Sequence, residues 1–274
     1  MTKSQTPDTP PHCGTAKLRL YVEADLSEGA SVDTSNDQAH YLRNVMRAAP
    51  GTPVLLFNGR HGEWRATIKA LGKKTATLKV ESQTRPFEPL PDIWLLFAPV
   101  KRARLDFIAQ KATEMGAARI QPVLTARTQV TRVNRERLYA NAVEAAEQCG
   151  LVTVPEVADP IALSKLLDGW DKANPNRRIL FCDETAPPGS TMKTLTELGE
   201  GADAPWALLI GPEGGFSAEE RDALLARPDT VGLSLGPRIM RADTAIVAGL
   251  TALQLFLGDW QGDWQGAWNG GRQT

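Results

Sequence analysis

Two glycine-bearing segments gather the residues of this chain best able to bind and polarise a ligand. They are Gly211-Pro212-Glu213-Gly214-Gly215 and Leu235-Gly236-Pro237-Arg238-Ile239-Met240-Arg241. Glycine lets a ligand come close to the main chain. Glu213 offers a carboxylate for proton removal. Arg238 and Arg241, with Arg127 earlier in the chain, offer cations for charge developing on a substrate oxygen. The three histidines (His12, His40, His61) all lie far upstream, so a Ser-His-Asp relay is not expected here. No GxGxxG follows a strand pattern, and there is no GxxxxGK[ST] or HExxH. Any chemistry in this part must use carboxylates, arginines and backbone groups.

The elements that must position these segments are short apolar runs. Ala207–Ile210 and Val231–Leu235 read as buried strands feeding the two loops, and Ser217 with Glu220 fits the capping box of a helix starting just after the first. Asp243 or Thr244 is the expected cap of a final helix, Ala245 to Leu257, stopped by Gly258. That helix is apolar nearly all round, with Gln254 its one large polar side chain, so it must be buried in the domain or against a second copy. Upstream, strands are expected at 92–98, 120–124 and 179–182, and helices from Leu105 to Met115 and from Arg135 to Cys149, the latter stopped by Gly150. Strands alternating with helices imply a largely parallel sheet covered on both faces, with ligands bound at the carboxyl ends of its strands. The basic cluster Lys101-Arg102-Ala103-Arg104 follows the first of these strands.

The N-terminal part has a different texture. Residues 18–84 carry short alternating strand patterns, as in a small β-barrel, interrupted by one helix from Asp37 to Met46 capped by Asn36 or Asp37. On that helix Arg43 and Arg47 stand one turn apart on one face, a spacing that suits phosphate contacts. The proline-rich stretch 85–91 reads as a stiff linker to a second domain over 92–258. Residues 1–17 and the Gly/Trp-rich 259–274 read as flexible tails.

The 31 basic and 32 acidic side chains nearly cancel, which excludes a uniformly basic nucleic-acid binder but not a local patch. Cys13, Cys149 and Cys182 lie far apart without CxxC spacing, a pattern that suits a reducing cytosol and gives no zinc site. No apolar run reaches the roughly 18 residues of a membrane span.

Taken together, the GPEGGFS and LGPRIMRADTA segments resemble the signature of the SPOUT-class RNA methyltransferases, and within that class the RsmE family. Supporting stretches are His40–Arg47, Gln110–Gly116, Ile120–Pro122 with Arg127, and Glu144–Cys149. The resemblance spans about Leu18 to Leu257. It implies a PUA-like β-barrel followed by an α/β domain with a C-terminal trefoil knot, a cytoplasmic homodimer, and S-adenosylmethionine as cofactor. The implied substrate is a uridine of 16S ribosomal RNA in the small-subunit decoding region, methylated at N3.

By the same resemblance the methyl donor is held by Gly211, Pro212, Glu213, Gly215, Leu235, Gly236, Arg238, Ile239, Met240 and Thr244. Catalysis is expected from Arg238, Arg241, Glu213 and Arg127, and RNA binding from Arg43, Arg47, Lys101, Arg102 and Arg104. Where this chain has Met240, Ala242 and Asp243 the family usually has leucine, threonine and glutamate, and where it has Leu151 the family tends to arginine. Two other readings fit the same residues: a non-catalytic ribosome-assembly protein with a vestigial pocket, and a SPOUT enzyme acting on another RNA.

Overall fold

The computed structural model describes residues 18–130, 132–186, 191–199 and 204–261, and the chain divides into two compact units at Pro86/Phe87. The tails expected at 1–17 and, beyond Gln261, at the C-terminus lie outside the described residues. Asp259–Gln261 forms a 3-10 turn.

The N-terminal unit contains β1 (Arg19–Tyr21), β2 (Ser31–Asp33), α1 (Asn36–His40), β3 (Pro53–Phe57), β4 (Glu63–Leu71) and β5 (Ala76–Arg85). One sheet, in the order β1-β3-β4-β5-β2, is antiparallel except for the β1–β3 pair; its path stays open between β1 and β2, a half-barrel. Alternate residues of β3 to β5, among them Val54, Leu56, Ala66, Ile68, Leu78 and Val80, point into its core with Leu20 and Leu42. β5 runs on through Arg85, so the first residue of the expected linker is strand.

The expected helix of this unit is corrected. It is capped by Ser35, whose hydroxyl accepts from Gln38 N while the Gln38 side chain accepts from Ser35 N. After five α-helical residues the backbone widens into a π-helical turn, Tyr41–Val45, in which Met46 N donates to the Tyr41 carbonyl five residues back. Arg47 leaves that turn in the left-handed region, at φ 49°. Arg43 and Arg47 are both exposed, but they do not share a helical face.

The C-terminal unit contains, in order, β6 (Ile93–Phe97), α2 (Arg102–Glu114), β7 (Arg119–Leu124), α3 (Arg135–Cys149), β8 (Glu156–Val157), β9 (Ile161–Ala162), α4 (Leu163–Asp168) and α5 (Trp170–Ala173). There follow β10 (Arg178–Cys182), α6 (Thr191–Gly199), β11 (Trp206–Ile210), α7 (Ala218–Leu225), β12 (Thr230–Leu233) and α8 (Ala242–Leu257). The strands form a parallel sheet in the order β12-β10-β11-β6-β7-β8, with β9 pairing on to β7. Strand side chains alternate between two cores. Leu95, Phe97, Leu180, Leu208 and Ile210 pack with α2, α3 and α8, while Leu96, Ile179, Phe181, Ala207 and Leu209 pack with Trp170 and Leu224 on the other face. Burial on both faces explains why these strands are continuous apolar runs.

Two helix starts differ from expectation. α2 begins at Arg102, so the basic cluster is its first turn, with Lys101 as an N-cap that makes no side-chain bond. Cations there oppose the helix dipole, which is why capping rules give no start at that point. α8 begins at Ala242 with Arg241 as N-cap, and neither Asp243 nor Thr244 caps it. Gln254 is fully buried. Its amide donates to the Met115 carbonyl at 2.6 Å and its carbonyl oxygen accepts from Asp259 N at 3.1 Å, so this buried amide closes the ends of α2 and α8.

Candidate active site

Strands β12, β10 and β11 are adjacent and parallel, so their carboxyl ends open on the same edge of the sheet. The three loops leaving them wall a cavity of about 330 Å³, a size that accommodates a small organic ligand. From the loop after β11 come Gly211, Pro212, Glu213 and Gly215; from the loop after β12, Leu235, Gly236, Arg238, Ile239 and Met240. These sequence candidates therefore meet in one place. Thr244 is exposed in the first turn of α8, and it, Arg241 and Arg127 lie off the cavity wall.

The shape of the first loop depends on missing side chains. A Cβ on Gly211 would stand 2.6 Å from the Phe216 ring, which packs edge-to-face on Phe181 with centroids 4.9 Å apart. Gly215 adopts φ 68°, and a Cβ there would fall 2.8 Å from Glu184 Oε1. Neither position admits a larger residue without displacing a wall. The loop hands over to α7 through the capping box expected from sequence, with Ser217 Oγ accepting from Glu220 N and Glu220 accepting from Ser217 N.

Two arginines from neighbouring strand ends fasten the loop. Arg127 donates from Nη1 to the Gly214 carbonyl at 2.7 Å, while Ala126 N donates to Glu220 at 2.7 Å. Arg127 thus holds the backbone that carries Glu213. Arg104, expected to contact RNA, donates to Glu213 Oε1 at 3.1 Å, and its Nε lies 3.7 Å from Asp243 Oδ2 on α8. Lys101 is exposed at the head of the same helix, and Arg102 lies in its first turn.

The third wall lies outside both glycine-bearing segments, and no binding motif marks it. Asp183, Glu184, Thr185 and Ala186 follow β10 and line the cavity with Phe216 and Arg221. Asp183 is only 5% exposed. Its Oδ1 accepts from Thr185 N and Oγ1, its Oδ2 from Arg221 Nε at 2.8 Å, and its N–H donates to the Leu233 carbonyl. The available signal was positional: an acidic and hydroxyl-bearing run directly after a buried strand. Cys182 also lines the cavity, and burial pushes its thiol pKa up to about 12, so it stays a neutral wall group. Ile210, Leu233, Leu235 and Met240 join Phe181 and Phe216 in the apolar part of the lining.

A parallel sheet with a loop-walled cavity at its carboxyl edge is a ligand-binding α/β architecture, and with the curled β unit before it two family models place the chain among the RNA methyltransferases. Residues 88–254 match the RNA methyltransferase domain family and residues 34–81 the RNA methyltransferase PUA domain. The ribosomal RNA small subunit methyltransferase E of Rickettsia conorii is 29% identical over 238 residues, covering 86% of this chain and 95% of its own. Its counterpart in Synechocystis sp. is 31% identical over 241 residues, covering 87% and 78%. The crystal structure of a ribosomal RNA small subunit methyltransferase E from Neisseria gonorrhoeae bound to S-adenosyl methionine has a TM-score of 0.77 to this chain. It is 28% identical, with 89% of this chain and 99% of that one covered. The chain belongs to the ribosomal RNA small subunit methyltransferase E family.

Proposed function

We propose that this chain is an S-adenosylmethionine-dependent methyltransferase that modifies N3 of a uridine in the decoding region of 16S ribosomal RNA. The observation that carries the reading is the convergence of three strand-end loops on one cavity with two small-residue positions, in a chain of this family. The cavity fits the donor: its apolar walls suit a purine, and its loops bring main-chain groups within reach of polar edges. S-adenosylmethionine supplies an activated methyl group, whose carbon bonds to N3 as the carbon–sulfur bond breaks and its electron pair stays on sulfur.

The chain's residues prepare the acceptor. Uracil N3 carries a proton at neutral pH, and its lone pair is free to attack once that proton leaves. Glu213 is the base that takes it, and Arg104 keeps that carboxylate in place. Arg238 and Arg241, on the exposed turn before α8, face the negative charge spread over the uracil oxygens. Arg127 acts on the loop through the Gly214 carbonyl. N3 lies on the Watson–Crick edge, so the target base must be unpaired when it enters. Exposed Arg43, Arg47 and Lys101, with Arg102, contact the RNA backbone.

The reading includes a cytoplasmic homodimer and a trefoil knot formed by the loops around the cavity. In favour of the dimer, α8 buries Ile246, Gly249, Leu250 and Leu253 in its own domain. Thr244, Val247, Ala248, Thr251 and Leu255, the last 49% exposed, remain along its outer side. In favour of the knot, β11 is inserted between β6 and β10, with β12 returning beyond β10. Calorimetry with S-adenosylmethionine tests the reading: saturable binding with one donor per chain is expected, and no binding would leave only a scaffold role.

A further inference from the structure

Arg221, on α7, lines the cavity but belongs to neither glycine loop. Its Nε donates to Asp183 Oδ2 at 2.8 Å, and the other Asp183 oxygen is taken by Thr185 N and Oγ1. Asp183 is buried, so this edge of the guanidinium is fixed from inside the protein. Among the described residues, the terminal amino groups of Arg221 have no other hydrogen-bond partner. A planar fork anchored on one edge presents its remaining donors in a set direction and suits a carboxylate.

The other ionised groups of the wall leave this role open. Glu184 and Glu213 repel an anion, and Glu213 is already paired with Arg104. Arg238 is exposed on the turn that faces the RNA in the reading above. At neutral pH the methyl donor carries one anionic group, the α-carboxylate of its amino-acid end. We propose, resting on the methyl-donor reading, that Arg221 recognises this carboxylate and that Asp183 is the positioning residue that aims it.

The test compares two ligands in the full chain by calorimetry. S-adenosylhomocysteine carries the amino-acid end, while 5′-methylthioadenosine has the same nucleoside and thioether without it. Arg221→Gln is expected to weaken S-adenosylhomocysteine about tenfold or more, the loss of a charge-assisted pair, and to change methylthioadenosine by less than about twofold. Equal weakening of both ligands would mean that Arg221 acts through the fold, and unchanged affinity for both would leave it no part in donor binding; either overturns the proposal. Failure of the unaltered chain to bind either ligand would instead sink the methyl-donor reading itself.

Discussion

Arg104, in the first turn of α2, donates to Glu213 Oε1 at 3.1 Å across 109 residues of sequence. Its Nε stands 3.7 Å from Asp243. A cation at the head of a helix is locally unfavourable, and here it meets two carboxylates, Glu213 from a cavity loop and Asp243 from the first turn of α8. Asp243 has one methylene less than the glutamate usual in the resembling family, and it is placed as a partner of Arg104.

If this tie positions the base, Arg104→Ala should slow single-turnover methyl transfer about tenfold or more while shifting stability by no more than about 1 kcal/mol, since the pair is exposed. Combining it with Glu213→Gln should give less than the sum of the two effects. Fully additive losses would mean the two residues act separately.

Arg238→Ala and Arg241→Ala should each lower methyl transfer by about 100-fold or more, the scale set by removing one group that stabilises developing charge. Both side chains are exposed, so thermal unfolding should be unchanged. Full activity in both variants would remove them from the chemistry.

Gly215→Ala forces a side chain into a position at φ 68° that already abuts Glu184. It should cost about 1–3 kcal/mol of stability and weaken S-adenosylhomocysteine binding, read by denaturation and calorimetry on one preparation. A variant as stable and as tight-binding as the parent would show that the loop tolerates another shape.

Gln254→Leu removes a buried amide that bonds the Met115 carbonyl and the Asp259 N–H where α2 and α8 end. Both partners are only partly buried, and the expected loss is about 1–2 kcal/mol, measured by urea denaturation.

Cys182 has a folded pKa of about 12 against an ordinary value near 9.0, raised by burial. The unfolded chain therefore releases this proton first, and its contribution to stability is complete below about pH 9 and lost as pH rises towards 12. Native protein at pH 8 should leave Cys182 unalkylated by iodoacetamide while exposed Cys149 reacts, as peptide mass spectrometry would read.

Much of this site is legible in sequence because its devices are local. Ser217 and Glu220 declare a helix start three residues apart, α3 ends at Cys149 where Gly150 stops it, and the glycines mark two loops. What sequence hides is set by distant partners. Asp183 takes its meaning from Arg221, 38 residues away, and no binding motif marks its loop. The pairing of Arg43 and Arg47 on one face fails because a π-helical turn follows α1, and the local pattern carries no sign of it. α2 starts against the usual charge preference because its compensating carboxylates arrive from elsewhere in the fold.

Methylation of one small-subunit uridine at N3 is best tested by nucleotide mapping of ribosomal RNA from cells lacking this chain. N3 methylation blocks Watson–Crick pairing and stops reverse transcription. One such stop in the decoding region of 16S RNA should disappear and should return when the intact chain is restored, but not with Arg238→Ala. An unchanged pattern of stops across 16S RNA would contradict it.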